Sequence, residues 1–197
     1  MSKTRIWLIR HGQTAWSHSG AHTSHTDIPL TEEGQMQARA LRLMLESHPF
    51  DLVLTSPMQR ARQTCQIAGY ERQAVVDANL LEWDYGIYEG RTTQEIRATE
   101  PGWSVWNATM KDGETLDEVA QRVQSVISRC LATGAEVALF AHGHVLRILA
   151  ACWLRLSPDA GRLFVLNAGS VSLLGYERET RALLGWNQAP YPVPLSL

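Results

Sequence analysis

The chain has 197 residues, of which 45% are hydrophobic and 19% charged, with Lys+Arg 18 against Asp+Glu 20 and a formal net charge of −2. That length favours one domain able to bury about 70% of its unfolded surface, so no disulfide or metal staple is needed for folding. The composition excludes a disordered or coiled-coil chain, and the lack of a basic excess argues against a nucleic-acid partner.

Cys65, Cys130 and Cys152 are odd in number, far apart and form no C-x-x-C pair. This is the usage of a reduced, intracellular protein. The apolar run Ile6-Trp7-Leu8-Ile9 is too short for a signal-peptide core, and Val137–Leu156 is broken by His142, His144, Arg147 and Arg155, so no membrane segment is expected. The expected setting is cytoplasmic.

In chain order, Ile6–Ile9 is a continuous apolar run, the pattern of a strand covered on both faces. Thr31 can cap a helix with Met36, Ala40, Leu43 and Met44 on one stripe, ending before Pro49. Leu52-Val53-Leu54 is a second strand. Ser56-Pro57-Met58-Gln59 then combines an N-cap, a first-turn proline and a capping-box Gln, with Gly69 as the stop. Val75-Val76 precedes Leu80-Leu81-Glu82. The segment from Tyr85 to Gly113 is irregular and predicts an insertion over one end of a sheet.

Thr115 with Glu118 repeats the capping-box pattern, and Leu116, Val119, Ala120, Val123, Val126, Ile127 and Cys130 keep helical spacing after it. Val137–Phe140 is a third buried strand, followed by an almost wholly apolar helix from about His144 to Leu156. Leu163–Leu166, Val171–Tyr176 and Leu183–Trp186 predict further strands, some antiparallel at an edge. Alternating strands and helices imply an α/β sandwich with a mostly parallel sheet. Residues 1–187 form one domain and 188–197 a proline-rich tail.

The residues just after each buried strand are the informative ones. The first strand leads into Arg10-His11-Gly12, the second into Ser56 and a helix with Arg60 in its first turn, and the third into Ala141-His142-Gly143-His144. Ligands of open α/β sheets bind outside the carboxyl ends of the strands, so two imidazoles and two guanidiniums converge there, with Glu82 on the same rim. Arg10 and Arg60 match phosphate oxygens, and the start of the helix after Ser56 adds N–H groups and a positive dipole end. A histidine can attack phosphorus and form a covalent intermediate. Glu82 can protonate the leaving alcohol and then activate water. Together these are the parts of phosphoryl transfer without a metal.

Five blocks carry a resemblance. Leu8-Ile-Arg-His-Gly-Gln-Thr14, Asp27-Ile-Pro-Leu-Thr-Glu-Glu-Gly34, Ser56-Pro-Met-Gln-Arg-Ala-Arg-Gln-Thr64, Glu82-Trp-Asp-Tyr-Gly-Ile-Tyr-Glu-Gly90 and Ala141-His-Gly-His144 together resemble the histidine phosphatase superfamily, the phosphoglycerate mutase-like group, in family order. The resemblance implies a three-layer α/β/α sandwich. It implies His11 as phosphorus nucleophile, Glu82 as proton donor, and Arg10, Arg60 and His142 as phosphate ligands and transition-state clamps. Ser17, Thr23 and Gly143 become substrate contacts, Gly143 through its backbone N–H.

Only 59 residues separate Glu82 from His142. The mutases that depend on a phosphorylated cofactor resemble this chain but carry a longer insertion there, so the resemblance favours a cofactor-free phosphatase with a small phosphate ester as substrate. The alternatives are a cofactor-dependent phosphoglycerate mutase and a non-catalytic member that binds a phosphorylated ligand. The Glu82–Gly90 and Ala141–Arg147 segments look most like the sedoheptulose bisphosphatase-like branch, which makes a sugar bisphosphate the leading substrate class. Ser24 and His25 depart from the glycine and apolar residue of that branch, which leaves other sugar phosphates, phosphoglycerate or a broad phosphomonoester range open. The oligomeric state is open as well.

Other residues have plainer readings. His18, His22, His25 and His48 are expected in exposed loops, His25 at the pocket rim, and no metal site is expected among the histidines. Glu89 and Glu114 are expected as solvated carboxylates, Arg62 and Arg147 in structural ion pairs, Trp103 and Trp106 in packing. Cys65 and Cys152 are expected as inert fillers within apolar helices.

Overall fold

The computed structural model describes residues 3–46 and 48–190; most of the proline-rich tail, 191–197, lies outside the described residues. One six-stranded sheet organises the chain: β1 (Arg5–Arg10), β2 (Leu52–Thr55), β3 (Ala74–Val76), β4 (Glu136–Ala141), β5 (Val171–Glu177) and β6 (Thr180–Gln188). The order across it is β3-β2-β4-β1-β5-β6. The first four strands are parallel; β5 runs antiparallel to β1 and β6 antiparallel to β5.

Successive side chains of a strand point to opposite faces, and here both faces are apolar. Ile6, Leu8, Leu54, Val137 and Leu139 enter one core with α5 (Leu116–Thr133) and α6 (Gly143–Trp153). Ile9, Val53, Ala138 and Phe140 enter the other, with Leu41 and Leu45 of α2 (Glu32–Leu45) and Cys65 of α3 (Gln59–Ile67). The result is the expected three-layer α/β/α sandwich. The region after β3 carries α4 (Thr93–Thr99) and a 3-10 turn at Gly86–Tyr88, and a short α1 (Ala15–Ser19) comes after β1.

The Thr115–Glu118 capping box of α5 forms as predicted, with Gly134 closing the helix at φ 65°. Three other expectations fail. Met36, Leu43 and Met44 of α2 face solvent; the buried stripe is Gly34, Ala38, Leu41 and Leu45. Small residues mark this contact because the backbones almost touch: a Cβ on Gly12 would stand 2.3 Å from the Gly34 carbonyl oxygen.

The N-cap of α3 is Met58 rather than Ser56, without a side-chain cap. Its first N–H, from Gln59, donates to Asp27 Oδ1 at 2.7 Å, so this helix start holds an internal carboxylate instead of offering itself to a ligand. Finally, Leu163–Leu166 is no strand: Pro158–Leu163 is a 3-10 helix and the residues after it are extended loop. Its carbonyls are taken by side chains instead of a ladder, Leu166 O by Arg10 and Val165 O by Trp186.

Candidate active site

Parallel register brings the strand ends together. Arg10 pairs with Ala141 and Thr55 with Phe140, so the next residues, His11, His142 and Ser56, emerge along one edge of the sheet. The His11 N–H donates to Ala141 O at 3.0 Å and the Ser56 N–H to Phe140 O at 2.9 Å. The imidazoles of His11 and His142 meet edge to face with centroids 5.1 Å apart.

His11 Nδ1 bonds the Gly12 carbonyl at 2.7 Å. A carbonyl only accepts, so Nδ1 carries the hydrogen and the Nε2 lone pair is left toward the cavity. Burial, then the charges of Arg10 and Arg60, push the His11 pKa well below its ordinary 6.5, against the pull of the Gly12 carbonyl. The imidazole is therefore neutral. Beside it, Arg10 donates through Nη1 to Leu166 O, while its Nε is buried with no partner among the described residues. A buried guanidinium N–H is a strong donor, suited to an anionic oxygen.

Glu82 reaches the start of α6 from about sixty residues away in the chain. Its Oε1 accepts the N–H groups of Val145 (2.8 Å) and Trp83 (3.0 Å), and its Oε2 accepts that of His144 (3.0 Å). This carboxylate caps α6, whose N-cap His142 supplies no side-chain bond. A carboxylate has about four acceptor sites, so three N–H bonds leave one, on Oε2. A Cβ placed on Gly143 would stand 3.6 Å from that Oε2 and 3.4 Å from Arg10 Cζ, which sets Gly143 between the two side chains. The Gly143 N–H has no acceptor among the described residues.

His142 and Arg60 sit beneath this surface. Arg60 Nε donates to His142 Nδ1 at 3.1 Å, which fixes the hydrogen on Nε2, and that N–H meets Ser56 Oγ at 2.7 Å. The rest of the Arg60 guanidinium donates to the carbonyls of Thr23, Ser24 and Thr26. Both residues are fully buried and neither lines the cavity, which has a volume of about 160 Å³ and is walled by Arg10, His11, Ser17, Thr23, Glu82 and Gly143, with His22, Tyr85, His144 and Arg147. The Ser17 hydroxyl is engaged in the capping box with Thr14, and the Thr23 hydroxyl donates to Ala21 O. A larger hollow, about 320 Å³, lies by α3 and β3 among Gln59, Gln63, Glu71 and Val76, away from this cluster.

A family model for the histidine phosphatase superfamily (branch 1) matches residues 6–189. The chain belongs to this superfamily. It is 36% identical over 195 residues to an acid phosphatase of Mycobacterium tuberculosis, covering 96% of each chain. It is 35% identical over 184 residues to sedoheptulose 1,7-bisphosphatase of Saccharomyces cerevisiae, covering 77% of this chain and 68% of the relative. The solved structure of an open reading frame product from Mycobacterium tuberculosis superposes with a TM-score of 0.90 at 34% identity, covering 95% of this chain and 99% of that one. The chain is thus a phosphoric monoester hydrolase of the histidine phosphatase type.

Two carboxylates of this histidine phosphatase are not the solvated groups expected. Glu89 accepts the N–H groups of Ser24 (3.1 Å), His25 (3.3 Å) and Thr26 (2.6 Å), and so fixes the loop whose carbonyls hold Arg60. Burial opposes its charge, but the Thr26 N–H and hydroxyl and the Ser24 and His25 N–H groups outweigh it and hold the carboxyl below its ordinary range. Glu114 pairs with Arg122 at 2.8 Å, and Arg122 donates to the carbonyls of Asn79, Leu81 and Glu82. That pair holds the Glu82 loop.

The histidines also divide differently. His25 is exposed and paired with Asp84, away from the cavity wall. His48 is half-buried against Trp7 and Glu136, not exposed. His22 joins the cavity wall, where burial lowers its pKa to about 4. The buried Tyr85 phenol keeps its proton and meets His144 Nδ1 at 2.7 Å. No group of three or more His, Cys, Asp or Glu side chains among the described residues is arranged to hold a metal ion. Burial pushes the Cys65 thiol up to about 12, as suits a packing residue. No helix among the described residues is long and apolar enough to cross a membrane.

Proposed function

We propose that this histidine phosphatase is a metal-independent phosphomonoesterase of small phosphorylated metabolites, with sugar phosphates and sugar bisphosphates as the favoured class, and that it works through a phosphohistidine at His11. The observation that carries the reading is a neutral His11, tied down at Nδ1 and free at Nε2, beside a buried Arg10 Nε that has no partner among the described residues.

In this reading the Nε2 lone pair attacks phosphorus while the ester bond breaks. The departing alkoxide takes the proton that Glu82 carries at the one site left open on Oε2, and the phosphoryl group remains on His11. Water then attacks the phosphohistidine, gives its proton to the Glu82 carboxylate, and restores His11 with release of inorganic phosphate. Arg10 and the Gly143 N–H stabilise the equatorial oxygens, and the helix dipole of α6 adds to them. Arg60 and His142 act from below the cavity floor: Arg60 sets the His142 tautomer, and that ring packs edge to face with His11. Arginine supplies the positive charge that a metal provides elsewhere. The three free cysteines fit a reducing, cytoplasmic setting.

The test is hydrolysis of p-nitrophenyl phosphate carrying a phosphorus label in excess EDTA, with alkali-quenched samples analysed for phosphohistidine, which survives in base and is lost in acid. Undiminished phosphate release and label on His11 are expected. Loss of turnover in EDTA, or turnover with no labelled histidine, overturns the reading. Isomerisation of phosphoglycerate without phosphate release, in the presence of a bisphosphoglycerate primer, would identify the mutase alternative instead.

A further inference from the structure

The stripe Met36, Ala40, Leu43 and Met44, which predicts the buried face of α2, lies on the outer side of that helix: Leu43 is 77% exposed, Met36 52% and Met44 40%. Apolar positions at i, i+4, i+7 and i+8 share one side of a helix, the pattern of a packing face. The core takes another side, through Gly34, Ala38, Leu41 and Leu45. One helix thus carries two apolar faces, and the chain itself covers only one among the described residues. Single exposed apolar side chains need no explanation, but a contiguous stripe marks an interaction surface.

The charges beside the stripe indicate what covers it. Arg39 and Glu46 are seven residues apart, so they lie on one side of the helix, about 20° from each other around it and about 10.5 Å along it. Both are exposed, and neither has an ion-pair partner among the described residues; Arg39 reaches only Gln35 Oε1, at 3.5 Å. Leu43 stands beside their midpoint. A two-fold axis there runs two copies of α2 antiparallel and sets Leu43 against the partner's Leu43. It lays each Arg39 on the partner's Glu46 and each Glu46 on the partner's Arg39, while the small Ala40 leaves room for the partner's Met44. The patch is complementary to itself, as a closed two-fold contact requires.

We propose that the outer face of α2 is a dimer seam and that its occupant is a second copy of this chain. The helix has 14 residues and is about 21 Å long, which places the contact at the small end of specific interfaces. The dimer is therefore a reversible one, with a Kd on the order of 10–100 µM. The same helix backs the loop that follows His11: Gln37 Oε1 accepts the Gln13 N–H at 2.7 Å, and Gly34 abuts Gly12. The seam thus braces an element behind the cavity without adding a residue to its wall.

The test is sedimentation velocity of the full chain from about 5 to about 500 µM, where a concentration-dependent shift from one chain to two is expected. Leu43→Asp should weaken association about tenfold or more, because a carboxylate is then buried without a partner. Arg39→Glu and Glu46→Arg should each weaken it about as much, by setting like charges together twice in every dimer. An equimolar mixture of these two variants should associate within about threefold of the unaltered chain, because the mixed pair again opposes unlike charges. All three positions are exposed, so the fold should survive, and circular dichroism checks that it does. A chain that stays single at about 500 µM overturns the proposal. So does a mixture no stronger than its components. A dimer of unchanged strength in Leu43→Asp overturns it too, and moves the contact elsewhere, such as the open edge of β3 with its exposed Val75 and Val76.

Discussion

The ends of β1 and β4 are neighbours in the sheet, and each delivers a buried histidine to the same edge. Burial depresses both imidazoles well below 6.5, with nearby arginine charge as a further cause. Their hydrogen bonds differ. His11 has one nitrogen tied and one free, whereas His142 has both taken, by Arg60 and Ser56. A nucleophile needs an unoccupied lone pair, and a fixed donor needs a partner that sets its tautomer. Two strand ends with the same residue type are therefore prepared for different work by the groups that stand behind them.

Replacing each histidine in turn breaks this comparison most directly. His11→Ala should lower kcat by on the order of 10⁴-fold or more, because no other group replaces the covalent route. His142→Asn should cost on the order of 10²-fold, because the ring that packs against His11 is lost and the nucleophile is no longer held in place. Steady-state kinetics on p-nitrophenyl phosphate, with circular dichroism to confirm folding, reads both. Equal losses would merge the two roles.

Acid should strike both ends together. His11, His22, His142 and His144 bind a proton less readily in the folded chain than in the unfolded one, where the value is about 6.5. The unfolded chain therefore takes up more protons as the pH falls, and stability present above about pH 6.5 declines toward the folded values, about 4 for His22. Thermal melts should show a falling Tm from pH 6.5 to 4, and the His22→Phe variant a shallower fall. For the same reason the acid limb of kcat/KM due to His11 lies below pH 6.5. A limb centred at 6.5 would contradict the neutral nucleophile.

Glu89 supports only the His142 side. It fixes the loop 24–26, the loop carbonyls hold Arg60, and Arg60 sets His142. Glu89→Gln keeps the shape but weakens the grip on three N–H groups. A fall of about tenfold in kcat with KM within about twofold is expected, since the change acts through a positioning chain and leaves the cavity wall intact. An increase in KM alone would place Glu89 at the substrate.

The strand ends were readable in the sequence because continuous apolar runs mark buried parallel strands, and the residues after such a run lie at a sheet edge. The same logic misplaced the face of α2, because it weighs large apolar side chains. The true face carries Ala38, Leu41 and Leu45, with a near-touch of backbones at Gly34, while Met36 and Leu43 face water. Glu89 and Arg60 illustrate a second limit. Their partners are backbone N–H and carbonyl groups of residues 23–26, which leave no trace in residue type or spacing. The sequence could supply the guanidinium of Arg60 but not show that it turns inward to three carbonyls and a histidine.

The smallest effect should come from Ser56, the partner that distinguishes His142 Nε2 from the free His11 Nε2. Ser56→Ala removes the acceptor of a buried N–H, which costs about 1 kcal/mol of stability or somewhat more, read from the shift in a denaturant midpoint. The His142 ring stays in place, because the Arg60 bond at Nδ1 and the packing against His11 persist. Activity should therefore fall only about threefold, with the pH profile unmoved. A loss approaching that of His142→Asn would mean that the Ser56 bond, and not the Arg60 bond, holds the ring against His11.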